Sequence, residues 1–229
     1  MHILICNDDG IEAPGIKALE ELATEFGKPV VVAPRAQQSG VSHQVTVDGP
    51  IAFEQVGDHR FSIEGSPADC VRVALTQLDF EFSLVLSGIN SGGNLGVDVF
   101  MSGTAAAARE SSYFGINSFA ISQYRSKDYV SDWERSKKLA RRGIEFALSR
   151  EDTGEGFWNI NLPSVSDLSE TGQEIPVRLC KLDRNPHRIV YRRTDNQLVY
   201  DGVYQDRPRD TSSDVDLCFG GAVTLTRCI

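Results

Sequence analysis

Residues 2–34, HILICNDDGIEAPGIKALEELATEFGKPVVVAP, decide the fold. Ile3-Leu4-Ile5-Cys6 is an apolar run without a polar break, the pattern of a strand covered on both faces. Within residues 14–26, Ile16, Leu19, Leu22 and Phe26 recur at three- and four-residue spacing. That spacing predicts an amphipathic helix, with Gly27 as its C-terminal cap. Val30-Val31-Val32-Ala33 follows between Pro29 and Pro34 as a second buried strand. Strand, helix, strand is a βαβ unit, and its repetition makes a parallel sheet.

The repetition is present. Leu84-Val85-Leu86 follows a helix-like stretch at 67–78, and Phe119-Ala120-Ile121 follows an Ala-rich stretch at 104–110. Residues 44–48 and 51–63 alternate in the manner of strands and are read as a hairpin or excursion outside the main sheet. Residues 130–150 predict a longer helix, with Trp133, Leu139, Ile144, Phe146 and Leu148 for its apolar face. Its Lys137, Lys138, Arg141 and Arg142 are read as a solvated face rather than a nucleotide patch. After Phe157-Trp158-Asn159-Ile160-Asn161 the character changes. Residues 177–204 are polar and β-rich, with turn signals at Asn185-Pro186 and Asp195-Asn196, and predict an extended hairpin or arm. Such an arm buries little of its own surface, so an oligomer contact is expected. The whole chain, 1–229, is read as one domain, with an α/β core over about 1–165 and the arm and tail over about 166–229.

Composition narrows the functions. The 229 residues are 41% apolar and 24% charged, which excludes a disordered chain. With 23 basic and 32 acidic residues the net charge is −9, and no Lys/Arg stripe stands out. A nucleic acid duplex is therefore not the expected partner. A small anionic ligand, held by backbone N–H groups and a metal ion, remains open. No apolar run approaches the roughly 18 residues that span a bilayer, and the first residues carry no basic leader. The reading is a cytoplasmic protein with no membrane partner. Five cysteines without a CxxC pair are read as reduced thiols, with Cys228 the most exposed.

Polar clusters follow three of the apolar runs: Asn7-Asp8-Asp9-Gly10, Gln38-Ser39-Gly40 and Ser87-Gly88-Ile89-Asn90. Ligands of open parallel sheets bind at the carboxyl ends of the strands, so the three are expected to converge. Two carboxylates, an amide oxygen and a hydroxyl are hard donors that suit Mg²⁺, Mn²⁺ or Ca²⁺. Adjacent aspartates are also costly without a cation. The alternative is a surface Asp-Asp turn. Residues 87–104, SGINSGGNLGVDVFMSGT, are dense in glycine and small residues and lead into a helix-like run. Ser102-Gly103-Thr104 would place donors for a phosphate at a helix N-terminus, although glycine also serves tight turns alone. A metal beside an anion site suits phosphate ester hydrolysis. His43 is either a ligand group, stacking on a base or donating to phosphate, or an ordinary loop histidine. Asp69 is either a helix cap or functional.

At these residues the chain resembles the survival protein E (SurE) family of metal-dependent nucleotidases. NDDG-IEAPGI, VVAP…QQSG, GSPADCV, SGINSGGNLG, MSGTAAAARE, NINLP and SDVDLCFGGAVTLT match that family's pattern in order. The chain departs from it at Ser66, where Thr is common, and in its ending. The resemblance implies a three-layer α/β/α, Rossmann-like, mostly parallel sheet with a β-rich C-terminal arm exchanged in a homodimer or tetramer. It implies one divalent cation per subunit, Mn²⁺ or Mg²⁺ with Ca²⁺ a substitute, on Asp8, Asp9, Ser39 and Asn90. Phosphate contacts would fall on Asn94, Ser102, Gly103 and Thr104; Gly40 and His43 are further substrate-side candidates read from the residues themselves. The implied activity is hydrolysis of nucleoside 5′- and 3′-monophosphates, with short polyphosphate in some members. Asp8, Asp9 and Asn94 are the catalytic candidates, one aspartate serving as general base. Two rivals are an aspartate-phosphotransfer phosphatase and a non-catalytic metal–nucleotide sensor.

Overall fold

The structure is a computed structural model that describes residues 1–127, 129–150, 154–164 and 174–229. The elements in chain order are β1 (His2–Cys6), α1 (Pro14–Ala23), β2 (Lys28–Pro34), β3 (Phe53–Gly57), β4 (Arg60–Ile63), α2 (Pro67–Gln77) and β5 (Phe82–Asn90). A 3-10 turn over Gly96–Phe100 leads to α3 (Gly103–Tyr113), β6 (Asn117–Gln123), α4 (Trp133–Leu148), β7 (Phe157–Leu162) and β8 (Val177–Leu179). The chain ends with β9 (Tyr191–Thr194), β10 (Gln197–Tyr200), α5 (Asp214–Phe219) and β11 (Val223–Cys228).

Nine strands form one sheet in the order β3-β4-β2-β1-β5-β6-β7-β11-β8. The run from β4 to β7 is parallel throughout. β3 and β11 pair antiparallel to β4 and β7, and β8 runs parallel to β11. The two-residue strand period sorts the apolar runs into two cores. Ile3, Ile5, Val31, Leu84, Leu86, Phe119 and Ile121 pack against α1 and α4. Leu4, Cys6, Val30, Val32 and Val85 face α2 and Ala107 of α3. This is the expected three-layer α/β/α arrangement. Each fully buried aliphatic side chain contributes about 1.5–3 kcal/mol.

Five expectations are corrected. Residues 51–63 hold a hairpin that belongs to the main sheet, because β4 lies parallel to β2 and buries Phe61 and Ile63 over α2. Residues 44–48 form no strand. Helix α1 ends at Ala23 with Thr24 as its cap, and Gly27 instead donates its N–H to the Ala23 carbonyl past the helix end. Cys228 is buried, since its strand is paired to β7 and packs beside Phe157; Cys180 is the most accessible of five free thiols. On α4, Leu148 is exposed, while Leu139 and Ile144 carry the buried face with Ala140, Gly143 and Ala147.

The basic residues of α4 are a solvated face. Lys137 pairs with Glu21 and Glu134, Arg141 with Glu25 and Glu145, and Arg142 with Glu174. The arm is present as the β9–β10 hairpin, closed at Asp195-Asn196 with Asp195 at φ +52°, and both strands are exposed along their length. Asn185-Pro186 lies in irregular chain. The expected core–arm boundary at 165–166 falls outside the described residues. No helix among the described residues is long and apolar enough to cross a membrane.

Helix α1 approaches the sheet through Gly15. A Cβ there would lie 2.0 Å from the Ile89 carbonyl oxygen, a backbone atom that cannot rotate away. Gly15→Ala is expected to cost about 1–3 kcal/mol or more in urea unfolding. Gly57→Ala, whose methyl meets only the flexible Arg60 side chain, is expected to stay within about 0.5 kcal/mol of the parent.

Candidate functional site

At the end of β1, Asn7 folds the chain into a turn. Its Nδ2 donates to the Gly10 carbonyl at 2.9 Å, and its Oδ1 accepts from the Gly10 N–H at 3.2 Å. Gly10 sits at φ +101°, a conformation that an L side chain resists. Asp8 and Asp9 are the central residues of this turn and take different partners. Asp8 continues the Leu4–Cys6 face, toward α2 and α3. Only 4% exposed, it accepts the Thr104 hydroxyl at 2.5 Å on Oδ1, and the Thr104 N–H also bonds to its carboxylate. Gly103 makes this approach possible, since a Cβ there would stand 2.8 Å from Asp8 Cβ and 3.0 Å from Pro67 Cγ. The Asp9 Oδ2 accepts the Ser91 N–H at 3.0 Å.

The three polar clusters do converge. The Gln38 N–H donates to the Asp8 carbonyl at 2.7 Å, which pins the loop carrying Ser39 and Gly40 beside the aspartates. The Asp9–Ser91 bond brings in the end of β5. Ser39 is exposed and its Oγ accepts from Gln37 at 2.8 Å; Gly40 stands in open space at φ +75°. Asn90 donates Nδ2 to the Gly92 carbonyl at 2.8 Å, leaving Oδ1 as the acceptor. Two carboxylates, an amide oxygen and a hydroxyl are a hard-donor set fitted to Mg²⁺ or Mn²⁺. Among the described residues no group of three or more His, Cys, Asp and Glu side chains could hold an ion, so a cation here would rely on neutral oxygens beside two aspartates.

Asn94 is buried and held on all sides. Its N–H donates to Asn161 Oδ1 at 2.8 Å, and its carbonyl accepts from Asn159 and Asn161 Nδ2 at 2.9 and 3.0 Å. Its Nδ2 donates to Ser122 Oγ at 2.8 Å. These three partners were not singled out from the sequence. The signal was there: two asparagines in β7, a strand buried along its whole length, must find partners. Ser102 is the N-cap of α3, its Oγ accepting the Ala105 N–H at 3.0 Å, so its own hydroxyl proton stays available. Thr104, expected to meet phosphate, commits its hydroxyl to Asp8.

His43 is drawn to the body of α3. Its Nε2 lies 2.7 Å from Glu110, and Arg109 Nη1 lies 3.3 Å from its Nδ1. Arginine only donates, so Nδ1 accepts and Nε2–H donates to Glu110. The ring also stacks on Tyr113 at 6.2 Å. Both nitrogens are engaged away from Ser102-Gly103-Thr104. Asp69 acts as a cap: it accepts from Ser66 N–H and from the N–H and hydroxyl of Thr46.

A family model described as Survival protein SurE matches residues 3–188. The chain is 44% identical over 228 residues, 99% of each chain, to a Nostoc sp. protein provisionally named a 5′-nucleotidase. It is 36% identical over 235 residues, 99% of this chain and 91% of the other, to the 5′-nucleotidase SurE of Rhodopirellula baltica. The crystal structure of the SurE protein from Aquifex aeolicus is similar with a TM-score of 0.83 at 26% identity, over 100% of this chain and 93% of that one.

Burial pushes the Asp8 carboxyl up to about 6, and the neighbouring Asp9 charge adds to the rise; the Thr104 bonds oppose it. The folded state therefore favours the protonated acid. Its contribution to stability is complete below the usual carboxylate range and is lost as pH rises through 6. In EDTA, the wild type is expected to lose about 3 kcal/mol more stability than Asp8→Asn between pH 3.5 and pH 7, read from urea unfolding.

Proposed function

The chain belongs to the survival protein SurE family, and we propose that it is a divalent-cation-dependent phosphomonoesterase that hydrolyses nucleoside 5′-monophosphates. The observation that carries the proposal is the contact between Asp8 and Thr104. It puts a buried carboxylate, beside a second one, against the N-terminus of α3. Charge that calls for a cation thus borders donors that call for an anion. The same reading extends to 3′-monophosphates and short polyphosphate, in a cytoplasmic homodimer or tetramer joined through the β9–β10 arm. An isolated two-stranded hairpin is marginal in water, which supports a partner for the arm.

Asp8, Asp9, Ser39 Oγ and Asn90 Oδ1 would hold the cation. When bound, the ion supplies charge neutralisation and Lewis-acid polarisation of the phosphoryl group. The chain supplies the positioning. Gly103 N–H at the start of α3 and the Ser102 hydroxyl would bind phosphoryl oxygens, aided by the positive end of the helix dipole. Asn94 would line the same cradle, its backbone fixed by Asn159 and Asn161. Thr104 keeps the Asp8 carboxylate aimed and holds off its rotation. One of the two aspartates would take the proton from the attacking water.

The test is phosphate release from 5′- and 3′-nucleoside monophosphates and short polyphosphate with Mn²⁺, Mg²⁺ or EDTA. Asp9→Asn is expected to lower kcat by on the order of a hundredfold or more. Mn²⁺ should raise the melting temperature of the wild type and not that of the variant. Full turnover by a folded Asp9→Asn protein would overturn the assignment.

A further inference from the structure

A crevice of about 370 Å³ opens beside the aspartate turn, at the carboxyl ends of β2 and β4. That volume is at the small end of the roughly 300–1,000 Å³ that holds small molecules. We propose that it seats the base of the nucleotide, with the guanidinium of Arg35 as a stacking face and the Gln38 and Gln44 amides reading the base edge. The proposal rests on the nucleotidase reading above.

Position is the first argument. Gln38 lines the crevice, and its N–H holds the Asp8 carbonyl at 2.7 Å. Ser66 lines it too, and the next residue, Pro67, abuts Gly103 at the start of α3. The crevice is therefore lined by residues that touch, or adjoin residues that touch, both the aspartate turn and the start of α3.

Charge is the second argument. Arg35 is paired with both Glu54 and Glu64, and Glu64 and Asp69 line the walls. The lining carries excess negative charge, which repels a phosphate and accepts an uncharged base. The two glutamates hold the guanidinium by its edge nitrogens, which fixes its plane, and a planar guanidinium stacks on aromatic rings. Chemistry is the third. The side-chain amides of Gln38 and Gln44 have no hydrogen-bond partner among the described residues, and each offers donors and an acceptor. Phe100, two residues before Ser102, is 61% exposed and is the competing platform.

The experiment compares kcat/KM for a panel of nucleoside 5′-monophosphates with that for ribose 5-phosphate, the same ester without a base. It uses the full chain with Mn²⁺, as wild type, Arg35→Ala, Gln44→Ala and Phe100→Ala. The wild type should prefer the nucleotides. Arg35→Ala should lower the nucleotide-to-ribose-phosphate ratio about tenfold, the loss of one stacking contact. Gln44→Ala should reorder the bases, and Phe100→Ala should leave the ratio in place. The Arg35 ion pairs are exposed, so their loss costs the fold little. A wild-type ratio near one, or a ratio that falls in Phe100→Ala and not in Arg35→Ala, overturns the crevice while leaving the phosphatase reading intact. If no ester is hydrolysed, that reading fails instead, and calorimetry with uncharged nucleosides decides. Binding weakened by Arg35→Ala supports the crevice, and no binding overturns it.

Discussion

One buried carboxylate sets the terms for the rest of the site. Asp8 stands in the turn just past the end of β1 and is almost fully withdrawn from water. Burying an ionised carboxylate without compensation costs several kcal/mol. The chain answers with the Thr104 hydroxyl and with the N-terminus of α3, brought close by the absence of a side chain at Gly103. Those contacts fall short of full compensation, which is why the carboxyl is pushed up to about 6. A carboxylate left under-compensated at a concave edge, next to a second one, is poised for a cation. The local energetics and the proposed chemistry have one cause.

The topology explains why this point, rather than another, gathers the ligands. From β1 the chain crosses through α1 to β2 on one side, while from β5 it crosses through α3 to β6 on the other. Connections leaving the two neighbours in opposite directions open a crevice between β1 and β5, where open α/β sheets bind their ligands. Asp9 and Ser91 face each other across it. Helix α1 closes the other side of this edge, and only a glycine at position 15 lets it approach Ile89.

The legible features were those written in local periodicity. Unbroken runs gave β1, β2, β5 and β6, and the three-four spacing gave α1. The polar clusters after those runs are joined by hydrogen bonds, as the strand-end rule predicts. What escaped depends on partners far away in sequence. Thr104 meets Asp8 across 96 positions, and Asn94 meets Asn161 across 67. No local pattern distinguishes a threonine that binds a ligand from one that holds a carboxylate. Likewise, 51–63 alternates as a hairpin would, but only the pairing of β4 with β2 puts it in the main sheet. His43 sits four residues from Ser39, yet the stronger pull of buried Glu110 takes its ring elsewhere.

The glycine-rich segment between β5 and α3 would be the most mobile part of this edge if sequence alone governed it, since glycine loses the most freedom on ordering. The structure ties it at close intervals instead. Asn94 is held from β6 and β7, and the Gly96 N–H donates to the buried Asp214 at 2.7 Å. Asp98 accepts from Tyr204 and Arg207 at 2.6 and 2.8 Å and pairs with His187. Ser42 holds the carbonyls of Phe100 and Met101. Three of these anchors, His187, Tyr204 and Arg207, flank the exposed hairpin. The C-terminal region thus does more than extend the molecule: it fixes the loop that leads into the cradle. A loop set in advance loses less freedom if it binds the proposed anion.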